Sequence, residues 1–85
     1  MTFQGAVIRE QNITFAVVIV EKHVIDSRDE AGQAIAAFNP LFPGLPVVLM
    51  AQDYRGTPTY FGRRDIARFM ADVPLEAIPW KQSTA

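Results

Sequence analysis

Two runs of consecutive apolar residues, Phe15 to Val20 and Val47 to Ala51, constrain what this chain can fold into more than any other feature. A strand with one solvated face alternates apolar and polar side chains, whereas an unbroken apolar run is typical of a strand buried on both faces. The rest of the sequence offers two helical segments as cover. We therefore expect the second face of the sheet to be covered either by the chain's own ends or by a second copy of the molecule.

The composition limits the size and the chemistry of the protein. With 85 residues, 49% of them hydrophobic, the sequence predicts one domain over 1–85, with residues 82–85 as a frayed tail. The absence of cysteine excludes disulfides, thiolate nucleophiles, iron–sulfur clusters and cysteine-ligated zinc. Residues 1–4 carry no positive charge, and the run at 15–20 is too short to cross about 30 Å of hydrocarbon. We expect a cytoplasmic protein that does not contact the membrane.

The first half of the sequence predicts a strand followed by a helix. Residues 14–22 are rich in β-branched and aromatic side chains, which favours a strand. Ser27 and Glu30 have the spacing of a capping box, so a helix should begin there. Asn39 and Pro40 end it because the residue before a proline avoids the α region. The apolar positions of this helix recur at helical spacing: Ala31, Ala34, Ile35 and Phe38.

The second half predicts a hairpin and another helix. Residues 47–52 form the second buried strand, and Asp53 suits the start of the turn after it. Pro58 cannot donate to a sheet ladder, so the returning strand, 57–61, should lie at an edge. A second amphipathic helix ends at Pro74 and has four apolar positions on one face: Ile66, Phe69, Met70 and Val73.

These elements predict a small α/β or α+β domain with a mixed sheet, the order β-α-β-β-α, and both helices on one face. Residues 3–9 add an N-terminal strand if Gln11 and Asn12 form a two-residue turn. The crossover through the first helix should make the two apolar strands parallel. One sheet face would then be open, and we interpret it as a homodimer interface. The candidate interface residues are Ala16, Val18, Val20, Tyr60 and Trp80.

Which face is open depends on the side that the helices take. The alternative open face consists of Phe15, Val17 and Ile19. The chain's own candidates for covering the open face are few: Leu75, Ile78 and Trp80.

In the later part of the chain a proline opens a buried strand, a hairpin follows, and a glycine precedes the last helix. The residues of this pattern are Leu45 to Met50, Gly56, Tyr60 to Gly62, Ile66, Phe69 and Met70. Over residues 45–73 the chain thereby resembles the later half of thioredoxin-like domains, with a longer turn and a shorter returning strand. The resemblance implies a cis bond at Leu45–Pro46 and a binding use of the scaffold. The family's paired cysteines have no counterpart here, so no redox role is implied. The whole chain is also similar to small bacterial proteins.

Arginines are concentrated in the second half of the sequence. Arg63 and Arg64 open a helix, where the partial positive charge of free amides disfavours them. Together with Arg55 and Asp53 from the preceding turn, they are a candidate site for a small anion or a nucleotide. The plainer interpretation, which we favour, is that the arginines extend into water or pair with Asp65 and Asp53. Asp53 alone is fully explained as the acceptor of its turn.

Other candidate sites are weaker. His23, Asp26 and Ser27 contain the residue types of a catalytic triad, but Ser27 is better explained as a helix cap and proximity in sequence is not convergence in space. One imidazole with scattered carboxylates lacks metal-ligand spacing. Tyr54, Tyr60 and Phe61 interleave with the arginines, as at some single-strand binding sites, but a net charge of −1 argues against nucleic acid.

We therefore predict a non-enzymatic binding or interaction module that associates with itself or with a partner protein and uses no cofactor or metal. The alternative is a domain that binds a small anion or a nucleotide through Arg55, Arg63 and Arg64.

Overall fold

The computed structural model describes residues 2–10 and 12–84. Its elements are β1 (Thr2–Glu10), β2 (Ile13–Ile19), α1 (Lys22–Asp26), α2 (Arg28–Phe38), β3 (Val47–Gln52), β4 (Pro58–Phe61), α3 (Arg64–Met70) and β5 (Lys81–Thr84). Short 3₁₀ turns at Asn39–Leu41 and Leu75–Ala77 lie after α2 and α3. The predicted α+β fold with a mixed sheet is confirmed. No helix in the described ranges is long and apolar enough to cross a membrane.

All five strands form one sheet in the order β4-β3-β2-β1-β5. β2 and β3 are parallel, and every other neighbouring pair is antiparallel. Two predictions are confirmed by this topology: the apolar strands are parallel, and the strand that contains Pro58 is an edge. The additional N-terminal strand is also present, as β1. Asn12 in its turn has a φ of 68°, and Gln11 lies outside the described residues.

The prediction that both helices lie on one face is wrong. Buried Ala31 and Phe38 of α2 pack on one face of the sheet, together with side chains of α1. Ile66 and Met70 of α3 pack on the opposite face, against Phe15. The reason lies in the connections. The segment that contains α2 joins two neighbouring strands, β2 and β3, whereas the chain after β4 must cross the whole sheet to reach β5. It crosses over the face that α1 and α2 leave uncovered.

Both sheet faces are therefore covered within one chain, which removes the open face. Ala16 and Val18 are 0% exposed, and Val20 packs in the same cluster beneath α1 and α2, so none of these candidate interface residues is available to a second copy. Tyr60 and Trp80, the other two candidates, are half-buried against the α3-side core. Leu75, Ile78 and Trp80 supply the internal cover that the sequence offered.

Three local expectations are also corrected. The strand expected over residues 14–22 ends at Ile19, and Lys22 instead begins α1, in which Lys22 and Asp26 pair at 2.6 Å across one helical turn. Residues 82–84, expected to fray, belong to β5, and Ala85 of the expected tail lies outside the described residues. The Leu45–Pro46 bond is trans, because the described residues include no cis peptide.

Candidate binding surfaces

The turn between β3 and β4 uses Asp53 to organise its own backbone. Oδ1 of Asp53 accepts hydrogen bonds from the amides of Arg55 at 2.8 Å and Thr57 at 3.0 Å. The guanidinium of Arg55 lies 5.3 Å from the ring centroid of Tyr54, and its Nε donates to the Tyr54 hydroxyl. Asp53 therefore acts as a turn acceptor, and Arg55 stacks on its neighbour.

Arg63 is engaged in an ion pair. Its guanidinium donates from Nε and Nη2 to the two carboxylate oxygens of Asp65, at 2.9 and 3.0 Å. Hydrogen bonding from Arg63 holds the pKa of Asp65 below its ordinary value. This bidentate pair matches the plainer interpretation of the arginines. It occupies the Nε and Nη2 side of the guanidinium.

The structure does not bring the predicted arginine cluster together. Arg55 lies in the turn beyond the Gln52–Pro58 pair, whereas Arg63 and Arg64 follow the far end of β4. A strand rises about 3.3 Å per residue, so β4 alone separates them by roughly 13 Å. A single small anion cannot contact both ends.

The aromatic candidates are dispersed as well. Tyr54 is 90% exposed at the tip of its turn, while Tyr60 and Trp80 pack on the core. The Tyr60 hydroxyl is buried without a hydrogen-bond partner among the described residues, and burial raises the pKa of Tyr60. These side chains do not form a stacking platform for bases.

His23 lies between two glutamates on the surface and, among the described residues, makes no hydrogen bond to Ser27 or Asp26. Its Nδ1 is 3.2 Å from Glu30 Oε2, and its Nε2 is 2.9 Å from Glu21 Oε2. Hydrogen bonds to Glu30 and then to Glu21 raise the pKa of His23. Ser27 Oγ accepts the Glu30 amide as a helix cap, so the catalytic grouping does not form. Residues 2–10 and 12–84 also include no group of three potential metal ligands.

The strand register shows which main-chain groups of the edge strand β5 are free. The amides of Ala16 and Val20 donate towards β3, so by alternation Val17 directs its N–H and C=O towards β1. Ala6 of β1 pairs with Val17, so the neighbouring residues of Ala6 direct their main-chain groups to the other side, towards β5. The pairs that exchange hydrogen bonds with β5 are therefore Gly5–Lys81 and Phe3–Ser83. Gln82 and Thr84 therefore direct their N–H and C=O groups away from the sheet. We call these groups the β5 edge.

The same alternation defines the opposite edge. The carbonyl of Met50 accepts from β2, so Leu49 and Ala51 face β4. Pro58 and Tyr60 then direct their main-chain groups outwards, and Pro58 has no N–H. We call this the β4 edge. It offers a single outward donor, the amide of Tyr60.

A third surface lies where β5 stops short of the end of β1. The pairing ends at Gly5–Lys81, and within the described ranges no strand accompanies Val7 and Arg9 on that side. The chain before β5 bends away there, with the Trp80 amide donating to the Ile78 carbonyl at 2.8 Å. The resulting pocket of about 320 Å³ is lined mainly by Gly5, Val7, Phe42, Pro79, Lys81 and Ser83, which we call the β1 groove.

Comparison with known proteins gives no further guide to the site. The chain matches no protein-family model, no curated protein and no solved structure. The function must therefore be argued from the surfaces themselves.

Proposed function

We propose that this protein is a non-enzymatic interaction module that associates with a second copy of itself through the β5 edge. The observation that carries the proposal is that all four residues of this edge strand are exposed and none is a proline. Exposed strand edges are templates for pairing, and proteins that avoid pairing usually protect them. With both faces of the sheet covered, self-association must use another surface, and of the two edge strands β5 is the one that keeps both of its outward amides. The resemblance of residues 45–73 to thioredoxin-like domains adds only the expectation of a binding role.

An antiparallel pair of β5 strands related by a two-fold axis satisfies the outward groups. Gln82 of one copy would exchange hydrogen bonds with Thr84 of the other, and the reverse, with the axis passing between the two Ser83 residues. In this register Lys81 of one copy does not lie opposite Lys81 of the other, so the dimer does not bring two like charges together. A four-residue strand buries little surface, so we expect a weak dimer.

Light scattering and sedimentation at high micromolar concentration test this proposal with two substitutions at one position. Gln82→Pro removes the outward amide without removing a bond to β1 and should give a monomer. Gln82→Ala alters only the side chain and should retain the dimer. A monomeric wild-type protein, or a dimer that survives Gln82→Pro, would contradict the proposal.

Cross-linking tests the register, because the native chain contains no cysteine. Non-hydrogen-bonded residues facing each other across antiparallel strands have Cα atoms about 4.5 Å apart, within the range that a disulfide spans. Ser83→Cys should therefore form a covalent dimer on oxidation. The matched control, Thr59→Cys on β4, should cross-link much more slowly, and equal rates would count against a role for β5.

The anion-binding alternative is less well supported. It requires Arg55 to act with Arg63 and Arg64, and the length of β4 keeps them apart. It also requires Arg63 to bind an anion beside the carboxylate of Asp65, which already neutralises its charge.

A further inference from the structure

The β1 groove combines three features that together suit an extended peptide. The first is a free strand edge. Every second residue of β1 directs its N–H and C=O groups towards the side on which β5 lies, and these residues include Gly5, Val7 and Arg9. The β1–β5 pairing ends at Gly5, so the groups of Val7 and Arg9 are free. A peptide can add to such an edge through main-chain hydrogen bonds that do not depend on its sequence.

The second feature is an apolar contact surface beside that edge. Val7 is 50% exposed although it lies in the middle of a strand, and Phe42 and Pro79 also line the groove. Gly5 contributes no side chain to fill the floor, and a Cβ there would lie 3.1 Å from the Val17 carbonyl oxygen. The groove therefore has room and apolar surface for one side chain of an added strand.

The third feature is its charge. Lys81 is the charged residue that lines the groove, and Arg9 lies two positions from Val7 on the same strand. Both are exposed cations, so two copies meeting groove to groove would repel each other. A carboxylate is the complementary group.

We infer that the β1 groove binds an extended acidic segment of another protein. Its main chain pairs with Val7 and Arg9, an apolar side chain opposite Val7 contacts Val7 and Phe42 beside Lys81, and a carboxylate two residues further along lies opposite Arg9. Two-residue spacing is required because alternate side chains of a strand share a face. This site is separate from the β5 edge and goes beyond the proposed self-association.

Two synthetic peptides provide the test. One has the sequence Leu-Ser-Asp-Ser-Leu-Ser-Asp, and the other has lysine in place of aspartate. Titration at low salt, followed by amide chemical shifts, should show binding of the acidic peptide, with the largest shifts at Val7, Arg9 and Lys81. Equal binding of both peptides, shifts that map elsewhere, or no binding of the acidic peptide would overturn the inference.

Substitutions separate the contributions. Arg9→Glu should weaken the acidic peptide by up to about fivefold, the equivalent of an exposed ion pair of about 1 kcal/mol, and should favour the lysine peptide. Val7→Thr keeps the shape and strand preference of the residue but should weaken both peptides. The amide spectrum of each variant shows that the fold is retained, and unchanged acidic-peptide affinity in both variants would contradict the site.

A further variant distinguishes this site from self-association. Gln82→Pro, which disables the β5 edge, should leave peptide binding unchanged. If it abolishes peptide binding while the fold is retained, the peptide binds the β5 edge and the assignment to the β1 groove is wrong. Concentration-dependent shifts of Val7 without peptide would instead identify a second copy as the occupant and overturn the inference.

Discussion

The two edges of this sheet have the same length and offer different main-chain groups. β4 and β5 each contain four residues. At the β4 edge, the outward positions are Pro58 and Tyr60, and proline removes one of the two amides. At the β5 edge, Gln82 and Thr84 keep both. The difference shows how the position of one residue, rather than the length of a strand, can protect an edge against pairing.

The edges also differ in how firmly each strand is held. β4 is followed by Gly62, where an added Cβ would lie 3.0 Å from Val48 Cγ2 and 3.2 Å from Val48 Cα. β5 is exposed at every position and is held mainly by its pairing with β1. The protected edge is thus also the one fixed to the core. The open edge lies on the outer surface, where pairing with another strand requires no repacking.

Replacing Gly62 should produce the largest effect and tests whether the β4 edge is fixed. Gly62→Ala combines a φ of 152° with a clash against the backbone of β3, so we expect a loss of about 2–4 kcal/mol in the free energy of unfolding. Urea denaturation measures it. Gly32→Ala is the matched control, since a Cβ there meets nothing within 4 Å in α2, and it should stabilise by about 0.5–1 kcal/mol. Equal stability of the two variants would show that the end of β4 is not constrained.

Opening the protected edge should produce a smaller effect, on association rather than on folding. Pro58→Val restores an outward amide, so β4 would offer the same two donors as β5. In the Thr59→Cys background, this change should raise the rate of oxidative cross-linking severalfold, towards that of Ser83→Cys. Gel electrophoresis without reductant measures the rate, and Thr59→Cys alone is the control. An unchanged rate would mean that the missing donor is not what protects this edge.

Much of this fold could be predicted because its signals are local. The unbroken apolar runs identify β2 and β3, Ser27 and Pro40 mark the limits of α2, and Pro58 marks an edge. Each of these follows from a property of neighbouring residues. None requires knowledge of a distant partner.

The errors about the sheet faces and about the chain's last residues share one cause, the unrecognised strand β5. Lys81 to Thr84 lack apolar alternation, and their strand conformation comes from pairing with β1 at the other end of the chain. Without β5, nothing requires the chain after β4 to cross the sheet, so α3 was expected on the same face as α2. The open face and its candidate interface residues followed from that placement.

The candidate site was harder to predict because it depends on register. The arginines are close in sequence, yet β4 holds Arg55 and Arg63 at opposite ends. Which amides of β5 are free depends on alternation carried across three strands, and this information is not encoded in the residue types of 81–84.

The smallest expected effect concerns pH, and it tests whether the edges behave independently of the charge on His23. Hydrogen bonds to Glu30 and Glu21 raise the pKa of His23 above its ordinary value of 6.5. The stability that this contact contributes should be fully present below pH 6.5 and should be lost as pH rises through the raised pKa.

The midpoint of urea unfolding, measured at about pH 5.5 and about pH 8, should therefore fall slightly with pH in the wild type and less in His23→Gln. His23 lies in α1, whereas the proposed dimer is held by main-chain amides and carbonyls of β5, which do not titrate. Dimerisation should therefore be the same at both pH values. A dimer that weakens with pH in the wild type but not in His23→Gln would place α1 in the interface and would contradict pairing through the β5 edge alone.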